Sequence, residues 1–166
     1  MRVGIGYDSH ELVSGRKMVL GGMTFGEDAG PAGHSDGDAL LHAITDAIFG
    51  AIGEEDLGAR YPDTDERYRN ADSSLFLRDA VRAAVEKGFS VENVDCVLII
   101  ERPRVSGCRE ELIKSIERIM GVPPGRVNVK GKTAEGRGPE ISSRIVEVHS
   151  VVLLSRGTST EKERLT

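Results

Sequence analysis

The chain has 166 residues, 39% of them apolar and 30% charged. This balance excludes a disordered or fibrous polymer and suits one domain with a single core. The formal net charge of −5, with both signs interspersed, argues against a general nucleic-acid binder while leaving room for a local basic pocket. No apolar run reaches the ~18 residues that a membrane span needs. The opening Met-Arg-Val-Gly-Ile-Gly reads as a strand without the layout of a signal peptide. Cys96 and Cys108 have neither a disulfide-framework nor a metal-pair spacing, so reduced thiols in a cytoplasmic protein are expected.

In chain order, residues 2–8 alternate and predict the first strand, with Asp8-Ser9-His10 at its end. Two positions apart on an extended chain, Asp8 and His10 project to one side. Residues 17–25 suggest a hairpin or bulged strand broken at Gly21-Gly22, followed by a Gly/Pro-rich loop over 26–33. The stretch from Gly33 to Asp46 organises the rest. Ser35 with Asp38 three positions on fits a capping box at the start of a helix, which should stop near Gly50 to Gly53. On that helix Asp38, His42 and Asp46 fall four apart on a polar stripe, and Leu40, Ile44, Ala47, Ile48 and Ala51 lie on the core side.

Residues 54–71 read as a long polar connection, of the kind that is functional or mobile. Asp72 caps a second helix whose apolar positions run from Leu75 to Val85, with Gly88 as its stop. An apolar strand over 94–102 ends at Pro103. A third helix runs from about Ser106 to Met120, and Pro123-Pro124 prevents its continuation. Strand 126–132, a turn through 134–140, strand 141–155 and a frayed tail over 156–166 complete the chain. This order predicts an α+β fold, a two-layer domain over 1–155 in which a mixed β-sheet carries helices on one face. Apolar residues of the last strand (Ile145, Val148, Val151, Val152) are expected to bury the other face against further subunits.

Three constellations carry chemistry. Asp8, His10 and His42 supply three ligands and leave a fourth position open, the pattern of a catalytic zinc site, with Asp46 or Asp38 orienting His42 from behind. The same spacing also fits unrelated polar residues at element ends. Asp56-Leu57-Gly58 and Tyr61-Pro62-Asp63-Thr64-Asp65 form an acidic loop that could accept hydrogen bonds from a polyol, or simply be solvated. Lys130-Gly131-Lys132-Thr133-Ala134-Glu135-Gly136-Arg137-Gly138 combines cations, a hydroxyl and glycine backbone suited to phosphate. Glu135 there could hold a divalent cation, and a solvated basic hairpin is the other reading.

Taken together, Gly-Tyr-Asp-Ser-His (6–10), His-Ser-Asp-Gly-Asp with Leu-His-Ala and Thr-Asp-Ala (34–47), Asp56-Leu-Gly, Tyr-Pro-Asp-Thr-Asp (61–65) and Asn-Val-Lys with Thr-x-Glu (128–135) closely resemble the 2-C-methyl-D-erythritol 2,4-cyclodiphosphate synthases over about residues 1–155. The resemblance implies a cytoplasmic homotrimer with active sites between subunits, and a phosphorus–oxygen lyase that closes a cyclic diphosphate and releases CMP. It implies Zn2+ or another divalent metal on Asp8, His10 and His42, and Mg2+ or Mn2+ on Glu135 with the diphosphate. His34 and Thr133 take the catalytic positions. Ser9, Ser35, Asp56, Leu57, Gly58, Tyr61, Asp63, Asp65, Lys132, Thr133 and Arg137 meet the substrate, and Ile100, Arg104 and Val105 form the cytosine pocket. A zinc-dependent phosphoesterase and a non-catalytic CMP-binding trimer are the alternatives. After Thr-x-Glu the family has a longer loop with an aromatic position. Here Gly136-Arg137-Gly138 follows at once, which puts Arg137 in doubt and predicts weak binding of any isoprenoid ligand on the trimer axis.

Overall fold

The computed structural model describes residues 1–26, 29–133 and 145–156. Among the described residues, seven strands and four α-helices follow the order β1 (Arg2–Ser14), β2 (Val19–Leu20), β3 (Met23–Thr24), β4 (Ala29–Pro31), α1 (Ala39–Ile52), α2 (Leu57–Arg60), α3 (Ser74–Glu86), β5 (Phe89–Ile99), α4 (Arg109–Met120), β6 (Val127–Lys132) and β7 (Ile145–Arg156). Five strands form one sheet in the order β4-β1-β7-β5-β6, and β2 and β3 make a separate hairpin. In this sheet β5 and β6 run parallel, and β7 pairs antiparallel with both β1 and β5. No helix among the described residues is long and apolar enough to cross a membrane.

All the long helices lie on one side of the sheet. Their apolar faces meet Val94, Cys96 and Leu98 of β5, Val127 and Val129 of β6 and Val146, Val148, Val152 and Leu154 of β7 in one core. Burial of α1 extends almost all round, with Leu40, Leu41, Ile44, Ile48 and Phe49 fully enclosed. Its close seat on β1 depends on two glycines. A Cβ at Gly4 would lie 1.8 Å from the Ala47 carbonyl oxygen, and one at Gly6 would lie 1.9 Å from that of Ala43. Any side chain there would push the helix off the strand.

The opposite face is open. Val3, Ile5, Tyr7 and Val151 are 66%, 72%, 51% and 44% exposed, and they are neighbours, since Ile5 pairs with Val151 and Tyr7 with His149. The expected apolar face therefore exists, but its membership needs correcting. Val148 and Val152 point into the helix-covered core, and Ile145 and Val151 are the residues of that set that alternate to the other side.

Several boundaries also differ from expectation. Strand β5 begins at Phe89, because a bulge between Val91 and Asn93 lets both Val91 and Val94 face the core and hides the alternation. The 54–71 connection has structure of its own, with α2 and a 3-10 turn at Glu66–Tyr68. Tyr61 anchors it, stacking 4.5 Å from the Phe76 ring, with Tyr68 edge-on to Tyr61 at 5.3 Å. Ser73 rather than Asp72 is the residue before α3, although Asp72 accepts from the Ser74 N–H at 2.8 Å. Arg156, assigned above to the tail, closes β7. The 134–140 turn and residues 157–166 lie outside the described residues.

Candidate active site

The metal-type donors meet where the middle of β1, which runs on to Ser14 rather than ending near Asp8 as expected, passes the first turn of α1. Asp8 and His10 share the helix-facing side of β1, as a period of two requires, and the glycines at 4 and 6 let α1 bring His42 down beside them. The Asp8 Oδ2 atom lies 2.9 Å from His10 Nε2 and 3.1 Å from His42 Nδ1. Three donor atoms, one from each residue, lie within 4.8 Å of one another. His10 Nδ1 is 2.7 Å from the Ala32 carbonyl. A carbonyl only accepts, so in the neutral ring Nδ1 carries the proton and Nε2 turns a lone pair toward Asp8 and His42, and the protonated ring donates from Nε2 to Asp8.

Burial opposes ionisation of Asp8, but hydrogen bonds from His10 and His42 and the charges of both rings hold its carboxyl well below the usual carboxylate range. Burial likewise opposes charge on His10; the Asp8 hydrogen bond and charge outweigh it and raise its pKa. A carboxylate and two imidazoles crowded in this way hold a cation, either a proton or a metal ion. The donor set, one oxygen and two nitrogens, fits a borderline divalent metal.

Asp38 and Asp46, expected behind His42, serve elsewhere. Asp38 is fully buried and its carboxylate accepts from Leu41 N (3.1 Å), Gly21 N (3.0 Å) and Gly22 N (2.7 Å). It is itself the N-cap of α1 and ties the β2–β3 turn to that helix. The expected box with Ser35 at the cap is thereby corrected. Asp46 accepts from Leu57 N at 2.7 Å and so fastens the start of α2 to α1. His42 Nε2 instead meets Ser73 Oγ at 2.8 Å, with Ser35 Oγ farther at 3.4 Å. Ser73 was absent from the sequence reading, and Asp36, though part of the His-Ser-Asp-Gly-Asp segment, was given no role there. No spacing rule links position 36 or 73 to 42, and only the fold brings them together.

Around this cluster the loops are stitched to one another. Arg16 donates to the carbonyls of Gly33 (3.0 Å) and Ser35 (3.1 Å), and Asn70 N donates to the His34 carbonyl at 2.7 Å. His34 Nε2 lies 3.1 Å from the Asp65 carbonyl. Asp56 caps α2 through Ala59 N at 2.8 Å, with Leu57 and Gly58 in the turn it opens. The Tyr61 hydroxyl donates to Asp79, and Asp65 is held by Arg67. Asp63 is exposed, and Ser9, between Asp8 and His10, is exposed and alternates to the opposite face of β1.

The phosphate-type residues gather at the ends of β5 and β6. Ile100 N donates to the Lys132 carbonyl at 3.0 Å, and buried Val105 packs so tightly on Gly131 that a Cβ there would meet it at 2.5 Å. Arg104, Lys132 and Thr133 are exposed at this end. Glu135 and Arg137 lie outside the described residues.

A one-sided α+β layer with an Asp-His-His donor set at the junction of its first strand and first long helix defines a protein with a candidate metal centre. The chain matches the sequence model of the YgbB family over residues 1–155. It is 48% identical over 136 residues to the 2-C-methyl-D-erythritol 2,4-cyclodiphosphate synthase of Aquifex aeolicus, covering 82% of this chain and 87% of that one. With the enzyme of the same name from Ralstonia nicotianae it shares 44% identity over 163 residues, covering 98% and 97%. A solved structure of a 2-C-methyl-D-erythritol 2,4-cyclodiphosphate synthase in its CDP-bound form superposes with a TM-score of 0.84 at 39% identity, covering 93% of this chain and 100% of that one. The chain belongs to the YgbB family, that of the 2-C-methyl-D-erythritol 2,4-cyclodiphosphate synthases.

Proposed function

We propose that the protein converts 4-diphosphocytidyl-2-C-methyl-D-erythritol 2-phosphate to 2-C-methyl-D-erythritol 2,4-cyclodiphosphate and CMP. An oxygen of the substrate's 2-phosphate attacks the β-phosphorus of its own diphosphate. The bond from that phosphorus to the oxygen of the departing CMP breaks, and the ring closes. The convergence of Asp8, His10 and His42 on one point carries this reading, in a chain whose family performs this cyclisation.

Asp8, His10 and His42 hold a divalent ion, zinc by donor type, which supplies Lewis-acid polarisation of a phosphoryl oxygen. Glu135 is assigned a magnesium or manganese ion with the diphosphate. No side chain need act as a nucleophile, so acceleration comes from folding the substrate onto itself and offsetting its charge. His34 and Thr133 stabilise the charge that grows on the attacked phosphoryl group. Ser35, Asp56 to Gly58, Tyr61, Asp63 and Asp65 hold the polyol, with backbone of the Ser9 segment beside them. Lys132 and Arg137 meet the phosphates, and Ile100, Arg104 and Val105 receive the cytosine.

Residues 1–155 act as one domain and assemble as a homotrimer. The open apolar face supports assembly, and the sheet supports a shared site. Asp8 and Gly131 stand in one row across β1, β7, β5 and β6, three strand spacings or roughly 14 Å apart. In this trimer the β6 end of a neighbouring subunit brings Thr133 to the diphosphate that His34 meets. The test is an assay with the diphosphocytidyl substrate, following CMP and the cyclic product by mass with and without a zinc chelator. Chelator-sensitive release of both in equal amounts is the expected result. CMP with a linear phosphate would mean a phosphoesterase instead, and binding without turnover a CMP-binding module.

A further inference from the structure

We propose that Asp36 and Ser73 form an ordered hydrogen-bond relay that fixes which ring nitrogen His42 presents to the metal, making both of them positioning residues for that ligand. This deepens the metal-site reading given above and rests on it. The argument is one of donor direction. A carboxylate only accepts, and the Ser73 hydroxyl lies in hydrogen-bond contact with Asp36 Oδ1, while Asp36 Oδ2 takes the Ser73 N–H at 3.0 Å. The single hydroxyl proton of Ser73 is therefore committed to Asp36. Only lone pairs of Ser73 Oγ remain for His42 Nε2, 2.8 Å away, so Nε2 must donate. A neutral imidazole carries one N–H, which leaves Nδ1 bare.

That bare nitrogen is the one that faces the cluster, 3.1 Å from Asp8 Oδ2 and 3.4 Å from His10 Nε2. His10 arrives at the complementary state through a separate partner, the Ala32 carbonyl. One histidine thus offers Nδ1 and the other Nε2, each fixed from behind. Ser73 is fully buried and precedes α3 without capping it through its side chain, so its hydroxyl is left for this relay. Ser35 Oγ, at 3.4 Å from Nε2, is a weaker neighbour that itself accepts from Gly37 N.

The test uses 15N-histidine-labelled, metal-free protein at a pH where both rings are neutral. Long-range 1H–15N spectra of the wild type should show His42 as the Nε2–H form and His10 as the Nδ1–H form. In Ser73→Ala, His42 should become a mixture of forms while His10 stays unchanged. Zinc affinity, read by competition with a chromophoric chelator, should fall about 10- to 100-fold, the usual effect of losing such a partner. The melting temperature of the metal-free variant should stay near that of the wild type, and Ser73→Thr, which keeps the hydroxyl, should restore the affinity.

A wild-type spectrum with His42 as the Nδ1–H form overturns the relay without recourse to any variant, as does unchanged zinc affinity in Ser73→Ala. A wild type that binds no zinc sinks the metal-site reading, and with it the relay's role toward a ligand. Zinc binding with the other tautomer removes the relay alone.

Discussion

The buried carboxylates of this protein divide by what surrounds them. Burial raises the pKa of Asp38, against which its backbone hydrogen bonds work. Replacing it with Asn nonetheless removes an acceptor: one of the N–H groups of Gly21, Gly22 and Leu41 would face an amide N–H. Asp38→Asn should therefore cost about 1–3 kcal/mol, measured by urea unfolding, without removing any metal-type donor. Asp8 and His10 shift in opposite senses. The depressed value of Asp8 gives stability that is present above ~3.9 and lost only as pH falls through the lower folded value. The raised value of His10 gives stability that is complete below ~6.5 and lost as pH rises through the folded value. Metal-free protein should thus weaken as pH climbs from near-neutral, while apparent zinc affinity, which competes with that same proton, should climb. Chelator competition and urea unfolding over that interval measure the two trends. The D-x-H pair was legible because it depends only on the two-residue period of a strand. Ser73 and Asp36 were not, because a partner 31 residues from His42 is chosen by tertiary folding.

Among the elements, the α1–β1 contact decides whether the donors meet at all. Gly6→Ala would place a methyl group against the Ala43 carbonyl, a backbone atom that cannot turn aside. Overpacking of this kind costs about 1–3 kcal/mol or more. It should lower the melting temperature and, by lifting His42 from Asp8, reduce bound zinc per chain in metal analysis. Sequence periodicity disclosed α1, α3 and α4 because each shows an apolar stripe closed by glycine; Gly53 and Gly121 both take the left-handed cap. It missed the start of β5, where the bulge at Glu92 sets Val91 and Val94 three apart yet on one face. The helix within 54–71 was also hidden, since its anchors, the Phe76 ring and the Asp46 carboxylate, belong to α3 and α1.

For the whole molecule, helices on only one side of a sheet already implied a bare face. Which residues of β7 formed it could not be read from the strand alone, because apolar residues occupy both faces and only the pairing register assigns them. Ile5→Asp, at the centre of that face, should leave a folded chain by circular dichroism but sediment as a monomer. On the shared site proposed above, turnover should disappear with assembly, since the end of β6 would no longer reach the donors of another chain.

Assembly through that bare face, as proposed above, would make concentration a thermodynamic variable of the enzyme. If three chains bury it together, mass action ties their stability to how many are present, and the melting temperature should rise with protein concentration. Diluted below its assembly constant, the protein would lose active sites before it lost its fold. Specific activity would then fall on dilution, and on the shared site proposed above a ligand that spans it should delay the fall.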